Sequence, residues 1–214
     1  MNIKLKLIIV VYSLITLISA CKNPDCDCMN SIIHQQYSDK YMSIVRIALF
    51  DHIGNYQLTQ DTTHLDTAII LLDEAIKLEP MKYSAYQYKA MALYWKKDYQ
   101  GVIKVVDSLH SLGYEIPDLI FLKARIYNDI GETTNADATL AYAERTYDNW
   151  VNCFPDSMAL IISKIGCTAY IHGREAALEE LNEAIKKRPE DQVLIGFKNE
   201  IQNHFDESWF YRDN

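Results

Sequence analysis

Residues 83–113 read YSAYQYKAMALYWKKDYQGVIKVVDSLHSLG and contain the clearest repeat unit of the chain. Their first half has apolar residues at i, i+4 and i+7, which is the spacing of an amphipathic helix. The polar segment 96–98 predicts a turn, a second apolar helix follows from Val102 to Leu109, and Gly113 stands where helices commonly end. Two helices joined by a short turn cannot bury both faces alone, so we expect neighbouring pairs to stack.

The same unit recurs with a period of 34 residues. Ala68 and Ala136 lie two periods apart with Val102 midway between them, and Ala90 and Ala124 lie one period apart. A fixed period of this length predicts a solenoid of stacked helical hairpins, an architecture that binds partners along a groove.

This pattern resembles the tetratricopeptide repeat (TPR), whose unit is two antiparallel helices. The family's small residue at position eight is matched by Ala90 and Ala124, and its proline at position thirty-two by Pro80 and Pro189. The resemblance covers residues 49–191. It implies an all-α, right-handed superhelical solenoid of helix-turn-helix hairpins with a C-terminal capping helix. The alternative all-helical fold is an irregular bundle without superhelical order.

The repeats and the sequence on either side of them divide the chain into segments. We expect a signal peptide over residues 1–20, a flexible tether over 21–30, a helical repeat domain over 31–205 and an aromatic tail over 206–214, which either folds back or presents a binding segment. The repeat units are predicted at 31–81, 82–116, 117–150 and 157–191, followed by a capping helix at 192–205. The apolar face of that helix is predicted to be Val193, Leu194, Phe197 and Ile201.

Two places depart from the family pattern. Gly54, Asn55 and Thr59–Thr63 indicate a loop, so the first helix of the first unit is predicted at Ser31–Asp51 with a long connection after it. Before the fourth unit the chain carries seven extra residues, which are assigned to an insertion at Asn149–Asp156. This insertion predicts a kink in the superhelix.

The resemblance also implies where a partner binds, because TPR arrays line their concave groove with the first helix of each unit. Carrying the family's groove positions over selects five residues in each of three units. They are Ser84, Gln87, Met91, Tyr94, Trp95, Asp118, Phe121, Arg125, Asn128, Asp129, Ala159, Ile162, Gly166, Ala169 and Tyr170. Aromatic and methionine anchors beside polar groups suit an apolar helix or an extended peptide. The alternative is that Trp95, Phe121 and Ile162 only pack between repeats.

The N-terminus resembles a bacterial lipoprotein signal. Lys4 and Lys6 precede an apolar run, Leu7–Ile18, which as a helix would span only about 18 Å of a ~30 Å hydrocarbon core. Residues 18–21 (ISAC) resemble the lipobox, whose cysteine is diacylated and becomes the first mature residue. This implies a lipid anchor at Cys21. A lysine rather than an aspartate follows, which favours the outer membrane and leaves the exposed face open. The alternative is an ordinary signal peptide that ends beside a cysteine.

Four further cysteines lie after Cys21. An extracytoplasmic location permits disulfides, and Cys153 with Cys167 is the candidate pair because it would bridge the insertion to the following helix. Cys26 and Cys28 are predicted to be free thiols in the tether. The alternatives for these two are a strained bond or a soft-metal site, although their spacing is too short for a standard zinc pair.

Charge and residue pattern argue against several functions. Removal of residues 1–20, which hold two lysines and no acidic residue, takes the formal charge from −8 to −10. An acidic body argues against nucleic-acid binding, because phosphate contacts need a cationic face. The six histidines are scattered without a nucleophile–base or metal-like motif, and no phosphate-binding glycine loop occurs. We therefore predict a non-enzymatic protein with no cofactor and no metal.

These observations together predict a membrane-anchored adaptor of the bacterial cell envelope that binds another protein in the groove of a TPR array. The preference for an adaptor is an analogy from the fold. Two alternatives are an immunity-type lipoprotein that captures one basic toxin in an acidic groove, and an accessory lipoprotein of an uptake system. The sequence leaves the identity of the partner and the oligomeric state open.

Overall fold

The computed structural model describes Cys26 and residues 35–204, and this part of the chain is helical without any strand. The signal segment, Cys21, Cys28 and the aromatic tail lie outside the described residues. The helices are α1 (Asp39–Arg46), a π-helical segment (Ile47–Ile53), α2 (Gly54–Thr59), α3 (Thr63–Leu78), α4 (Tyr83–Trp95), α5 (Tyr99–Ser111), α6 (Pro117–Asp129), α7 (Thr133–Cys153), α8 (Met158–His172), α9 (Arg174–Lys187) and α10 (Gln192–His204).

Successive helices pair through short turns whose local chemistry ends one helix and begins the next. Gly113, Gly131 and Gly173 follow helix ends with φ between 81° and 86°, a left-handed backbone that glycine adopts without strain. The Asp98 side chain accepts a hydrogen bond from the Gly101 N–H at 2.9 Å and so caps α5. Pro117 occupies the first turn of α6, where a missing N–H costs nothing. The predicted all-α fold of stacked helical hairpins is confirmed.

The chain forms two compact units with their own cores. Within the described residues, the N-terminal unit is 35–139 and the C-terminal unit is 140–204 with Cys26. Alanines at 0% exposure (Ala68, Ala85 and Ala92) let the helices of the first core approach closely around Tyr41 and Leu72. The second core is formed by buried residues of α8, α9 and α10, namely Ile165, Ala169, Ala177, Leu181, Leu194 and Ile201. Within α10 Val193 is 53% exposed, so the predicted face is wrong at that position.

The first hairpin is more helical than its sequence predicts. Gly54 has helical backbone angles (φ −61°, ψ −43°), and α1, the π-helical segment and α2 follow one another from residue 39 to residue 59. The Asn55 side chain donates to the Asp51 carbonyl oxygen and the Thr59 hydroxyl donates to the Asn55 carbonyl oxygen, at 2.5 and 2.8 Å, so residues typical of turns bond back onto their own helix. The predicted loop was wrong at Gly54 and Asn55, because burial of Ile53 at 2% exposure outweighs local propensity there. Residues 60–62 form a non-helical turn between α2 and α3, within the predicted Thr59–Thr63 segment.

The seven extra residues are helical. Three lysines, Lys89, Lys123 and Lys164, each reach an aspartate sixteen residues earlier: Asp73 at 2.5 Å, Asp107, and Asp148 at 2.8 Å. The constant separation means that packing between the end of α7 and α8 repeats that of the earlier helices. The extra residues therefore lengthen α7 to 21 residues by two turns, and the predicted insertion at Asn149–Asp156 was wrong over 149–153. Seven residues return a helix to nearly the same face.

In the part of the chain that is described, no helix is both long and apolar enough to cross a lipid bilayer.

Candidate peptide-binding surface

One face of α4 carries the predicted groove residues of the second unit. Gln87, Met91, Tyr94 and Trp95 follow the i, i+4, i+7 and i+8 spacing, and each is half-buried. Met91 and Trp95 pack against the first core, and the Trp95 ring stacks on Tyr56 with 5.6 Å between ring centroids. Met91 and Trp95 therefore pack against the core while part of each side chain stays at the surface.

The corresponding face of α6 meets the α4 face through one arginine. The guanidinium of Arg125 lies 6.0 Å from the centroid of the Phe121 ring, and its Nη2 lies 3.4 Å from the Tyr94 hydroxyl. One turn further along, Asn128 and Asp129 are exposed. These contacts join the residues of the two helices into one surface. This α4/α6 surface consists of Gln87, Met91, Tyr94, Trp95, Phe121, Arg125, Asn128 and Asp129.

Several other predicted groove residues have different roles. Ser84 is taken up by a hydrogen bond with Tyr41. The residues of α8 belong to the C-terminal unit, where Ile162 packs against the second core and Ala169 is buried at 3% exposure. Tyr170 is half-buried. Ile162 therefore fulfils the packing alternative.

A buried tyrosine holds the start of α4 in place, and the sequence did not reveal it. The Tyr41 side chain is fully buried. Its hydroxyl accepts the Ala85 N–H at 3.0 Å, exchanges a hydrogen bond with the Ser84 hydroxyl at 2.9 Å and lies 3.4 Å from the Lys82 carbonyl oxygen. Because Lys82 supplies no side-chain cap to α4, the phenol of Tyr41 performs that role from another helix. The available signal was a tyrosine in a predicted helix, which does not specify a partner 44 residues away.

Burial raises the pKa of several tyrosine hydroxyls near the start of α4. Burial raises the pKa of Tyr41 to about 12, against the opposing effect of its hydrogen bonds with Ser84 and Ala85. It also raises the pKa of Tyr88 to about 12 and that of Tyr83 further. The ring of Tyr37 stacks on Tyr41 with 5.2 Å between centroids, and burial raises the pKa of its hydroxyl as well.

These shifts predict alkaline unfolding of the N-terminal unit. Above pH 10, an unfolded tyrosine releases its proton while the buried phenols keep theirs, so the unfolded state binds fewer protons and stability falls as pH rises. We expect full stability below pH 10 and loss of helix as the pH approaches 12. The measurement is tyrosinate absorbance recorded with far-ultraviolet circular dichroism. Titration of every tyrosine near pH 10 with the helix intact would contradict the expectation.

The disulfide differs from the predicted pair. Cys153 is bonded to Cys26, with an S–S length of 2.05 Å and 5.5 Å between the Cα atoms, and both residues are buried. Because a sulfur forms one disulfide, the candidate Cys153–Cys167 bond is excluded, and Cys167 is a buried residue of α8. The prediction of a free thiol at Cys26 was also wrong. Cysteine spacing does not determine connectivity, and the partners are 127 residues apart.

Comparisons with known proteins add little. No protein-family model matches the chain, and no curated protein matches it. Among solved structures, the crystal structure of YrrB, described as a TPR protein with an unusual peptide-binding site, is similar to 83% of this chain and to 98% of its own. The TM-score is 0.37 at 15% identity, which is too low to transfer a site or a partner. The fold assignment therefore depends on the hairpins described above.

Proposed function

We propose that this chain is a lipid-anchored, non-enzymatic scaffold of the bacterial cell envelope, and that it binds a helix or an extended peptide of another protein along the α4/α6 surface. The anchor is Cys21 of the lipobox-like segment 18–21, and the membrane is the outer membrane. The observation that carries the binding proposal is the position of Arg125, which contacts both Phe121 and Tyr94 and so joins two helices into one recognition surface.

The composition of this surface suits a protein ligand. Tyrosine, tryptophan and arginine supply most of the energy in protein interfaces, and they do so where they are partly desolvated by neighbours. Here Tyr94, Phe121 and Arg125 are half-buried, so little side-chain entropy remains to be lost on binding. The exposed Asn128 and Asp129 supply polar groups at one end, which can orient a bound peptide.

The architecture supports binding rather than chemistry. Stacked hairpins present extended surfaces to partners, and hairpin arrays of this kind typically act as interaction scaffolds. Within the described residues, no group of three or more histidine, cysteine, aspartate or glutamate side chains is arranged to hold a metal ion. The acidic mature chain is compatible with a basic partner, which charge would steer.

Site-specific photo-crosslinking in the native envelope tests the proposal. A photoreactive phenylalanine replaces Gln87 or Asn128 on the α4/α6 surface, or the exposed Lys104 on α5 as the control position. We expect one and the same envelope protein to crosslink at positions 87 and 128 and not at position 104. Crosslinking at 104 alone would place the interface on another face. Recovery of the protein in the soluble periplasmic fraction, without acylation of Cys21, would refute the anchor.

Binding by the purified protein should depend on Arg125. Arg125→Ala removes the guanidinium that lies over the Phe121 ring and beside the Tyr94 hydroxyl, so we expect the affinity for the crosslinked partner to fall by about tenfold or more. Lys104→Ala removes one positive charge from the same unit and should leave the affinity within about twofold, as exposed charges usually do. Titration calorimetry gives both affinities, and circular dichroism checks the fold. Equal affinity of Arg125→Ala and the native protein would refute the placement of the site.

A further inference from the structure

The disulfide attaches the N-terminal leader to the C-terminal unit. Cys153 is the last residue of α7, and the turn that follows is firmly packed: Arg188 donates to the Pro155 carbonyl oxygen at 2.7 Å and to Asp156 at 2.8 Å. Cys26 is fully buried at this place. The residue nearest to the proposed anchor in the described part of the chain is therefore fixed to helices that come last in the sequence.

Chain length limits how far this point can lie from Cys21. Positions 21 and 26 are five residues apart, which spans at most about 17 Å when fully extended. The first described residue of the N-terminal unit is Gln35, which is fourteen residues from Cys21. Without the disulfide, the tether would therefore reach up to about 48 Å before the folded part begins. The bond therefore shortens the reach of the tether roughly threefold.

We propose that the C-terminal end of α7 is the membrane-proximal surface of the mature protein, and that the partner of this surface is the lipid bilayer. The inference rests on the proposed lipid anchor at Cys21. With acyl chains in the bilayer, Cys153 lies within about 25 Å of the acylated residue, because the tether adds at most five residues to the 5.5 Å between the bonded Cα atoms. The α4/α6 surface is not subject to this limit.

A competing face exists on the first hairpin. Phe50 and Leu58 are 66% and 81% exposed, and Met42 on the same side is 48% exposed. An apolar helix face of this kind can lie in a bilayer interface. Since Gln35 is separated from Cys21 by a longer chain, the tether allows that helix to lie farther from the acylated residue, whereas the disulfide limits this distance at the end of α7. The experiment separates the two faces.

The test uses the full acylated chain purified from membranes and reconstituted into phosphatidylcholine–phosphatidylethanolamine vesicles that contain an acceptor-labelled lipid. A donor dye is attached through p-acetylphenylalanine at Asn152, which is exposed beside Cys153, or at Leu58. Cys26→Ala breaks the bond, and Cys28→Ala is the matched control in the same leader. A third variant keeps the bond and inserts about twelve Gly/Ser residues between Lys22 and Asn23, adding roughly 20 Å of reach.

We expect strong quenching at position 152 in the native and Cys28→Ala proteins, and quenching at least about twofold weaker in Cys26→Ala and in the lengthened variant. The lengthened variant leaves every described residue unchanged, so its result does not depend on whether Cys26→Ala folds. Equal quenching at position 152 in the native and lengthened proteins would overturn the inference, as would stronger quenching at position 58. A mature chain without acyl mass on Cys21 would overturn the anchor together with the inference, whereas acylated chains with equal quenching refute the inference alone.

Discussion

Cys153→Ala should lower the free energy of unfolding of the chain by about 3–5 kcal/mol, the largest loss expected from any single substitution considered for it. The bond closes a loop of 127 residues. In the chain-entropy model a loop of that length restricts the unfolded state by about 5 kcal/mol, and removal of native disulfides from small domains costs about 2–5 kcal/mol. Cys153 is buried, so alanine also leaves a small cavity at that position.

Urea denaturation followed by circular dichroism measures this loss, from the transition in which the whole ring between Cys26 and Cys153 unfolds. Cys28→Ala serves as the control and should leave the midpoint unchanged. The double variant Cys26→Ala/Cys153→Ala should be no less stable than the worse single variant, because both substitutions remove the same bond. If Cys153→Ala and the reduced native protein both unfold at the urea midpoint of the oxidised native protein, the bond contributes no stability.

Tyr41→Phe should destabilise the N-terminal unit by about 2 kcal/mol although it removes only one oxygen atom. The ring remains to fill the core, but the Ala85 N–H loses its acceptor at the buried start of α4. The Ser84 hydroxyl loses its hydrogen bond with Tyr41 at the same time. An unsatisfied buried donor costs about 1–3 kcal/mol, more than the net value of the bond that it formed.

The matched control is Tyr99→Phe, which removes the hydroxyl of a half-buried tyrosine at the start of α5. We expect this control to change the free energy of unfolding by less than about 0.5 kcal/mol. Amide hydrogen exchange gives a second readout, because loss of the Tyr41 acceptor should speed exchange at Ala85 more than at Leu93, which lies deeper in the helix. Equal stability of Tyr41→Phe and Tyr99→Phe would refute the capping role.

The parts of the fold that follow from local pattern were predictable. Apolar spacing and the alanines of the 34-residue period led to the helical hairpins, because the positions where helices approach closely accept little but small side chains. The prediction failed at Gly54 and Asn55, where local propensity and burial disagree. Both favour turns in isolation, and the helix continues through them because burial of Ile53 and Ala48 outweighs their propensity.

Two other features give no local signal at all. Two extra turns in α7 preserve the helix face, so the apolar pattern is the same with or without them, and only the lysine–aspartate separation locates them. The Cys26–Cys153 bond joins residues far apart in sequence, and five cysteines permit several pairings. At the α4/α6 surface the sequence selected the helix faces and gave packing as an alternative for Trp95, but it did not reveal that Met91 also packs against the first core.

The Cys26–Cys153 bond also makes a covalent ring of the chain between these residues, and the N-terminal unit forms most of that ring. A protease that cuts an exposed turn such as 60–62 opens the ring without dividing the molecule, because the two ends of the cut remain joined through sulfur. A nicked protein would therefore keep its mass and migrate as two fragments only after reduction. The products of a single cut inside the ring are then visible only on reducing gels, and such a cut does not detach the α4/α6 surface from Cys26.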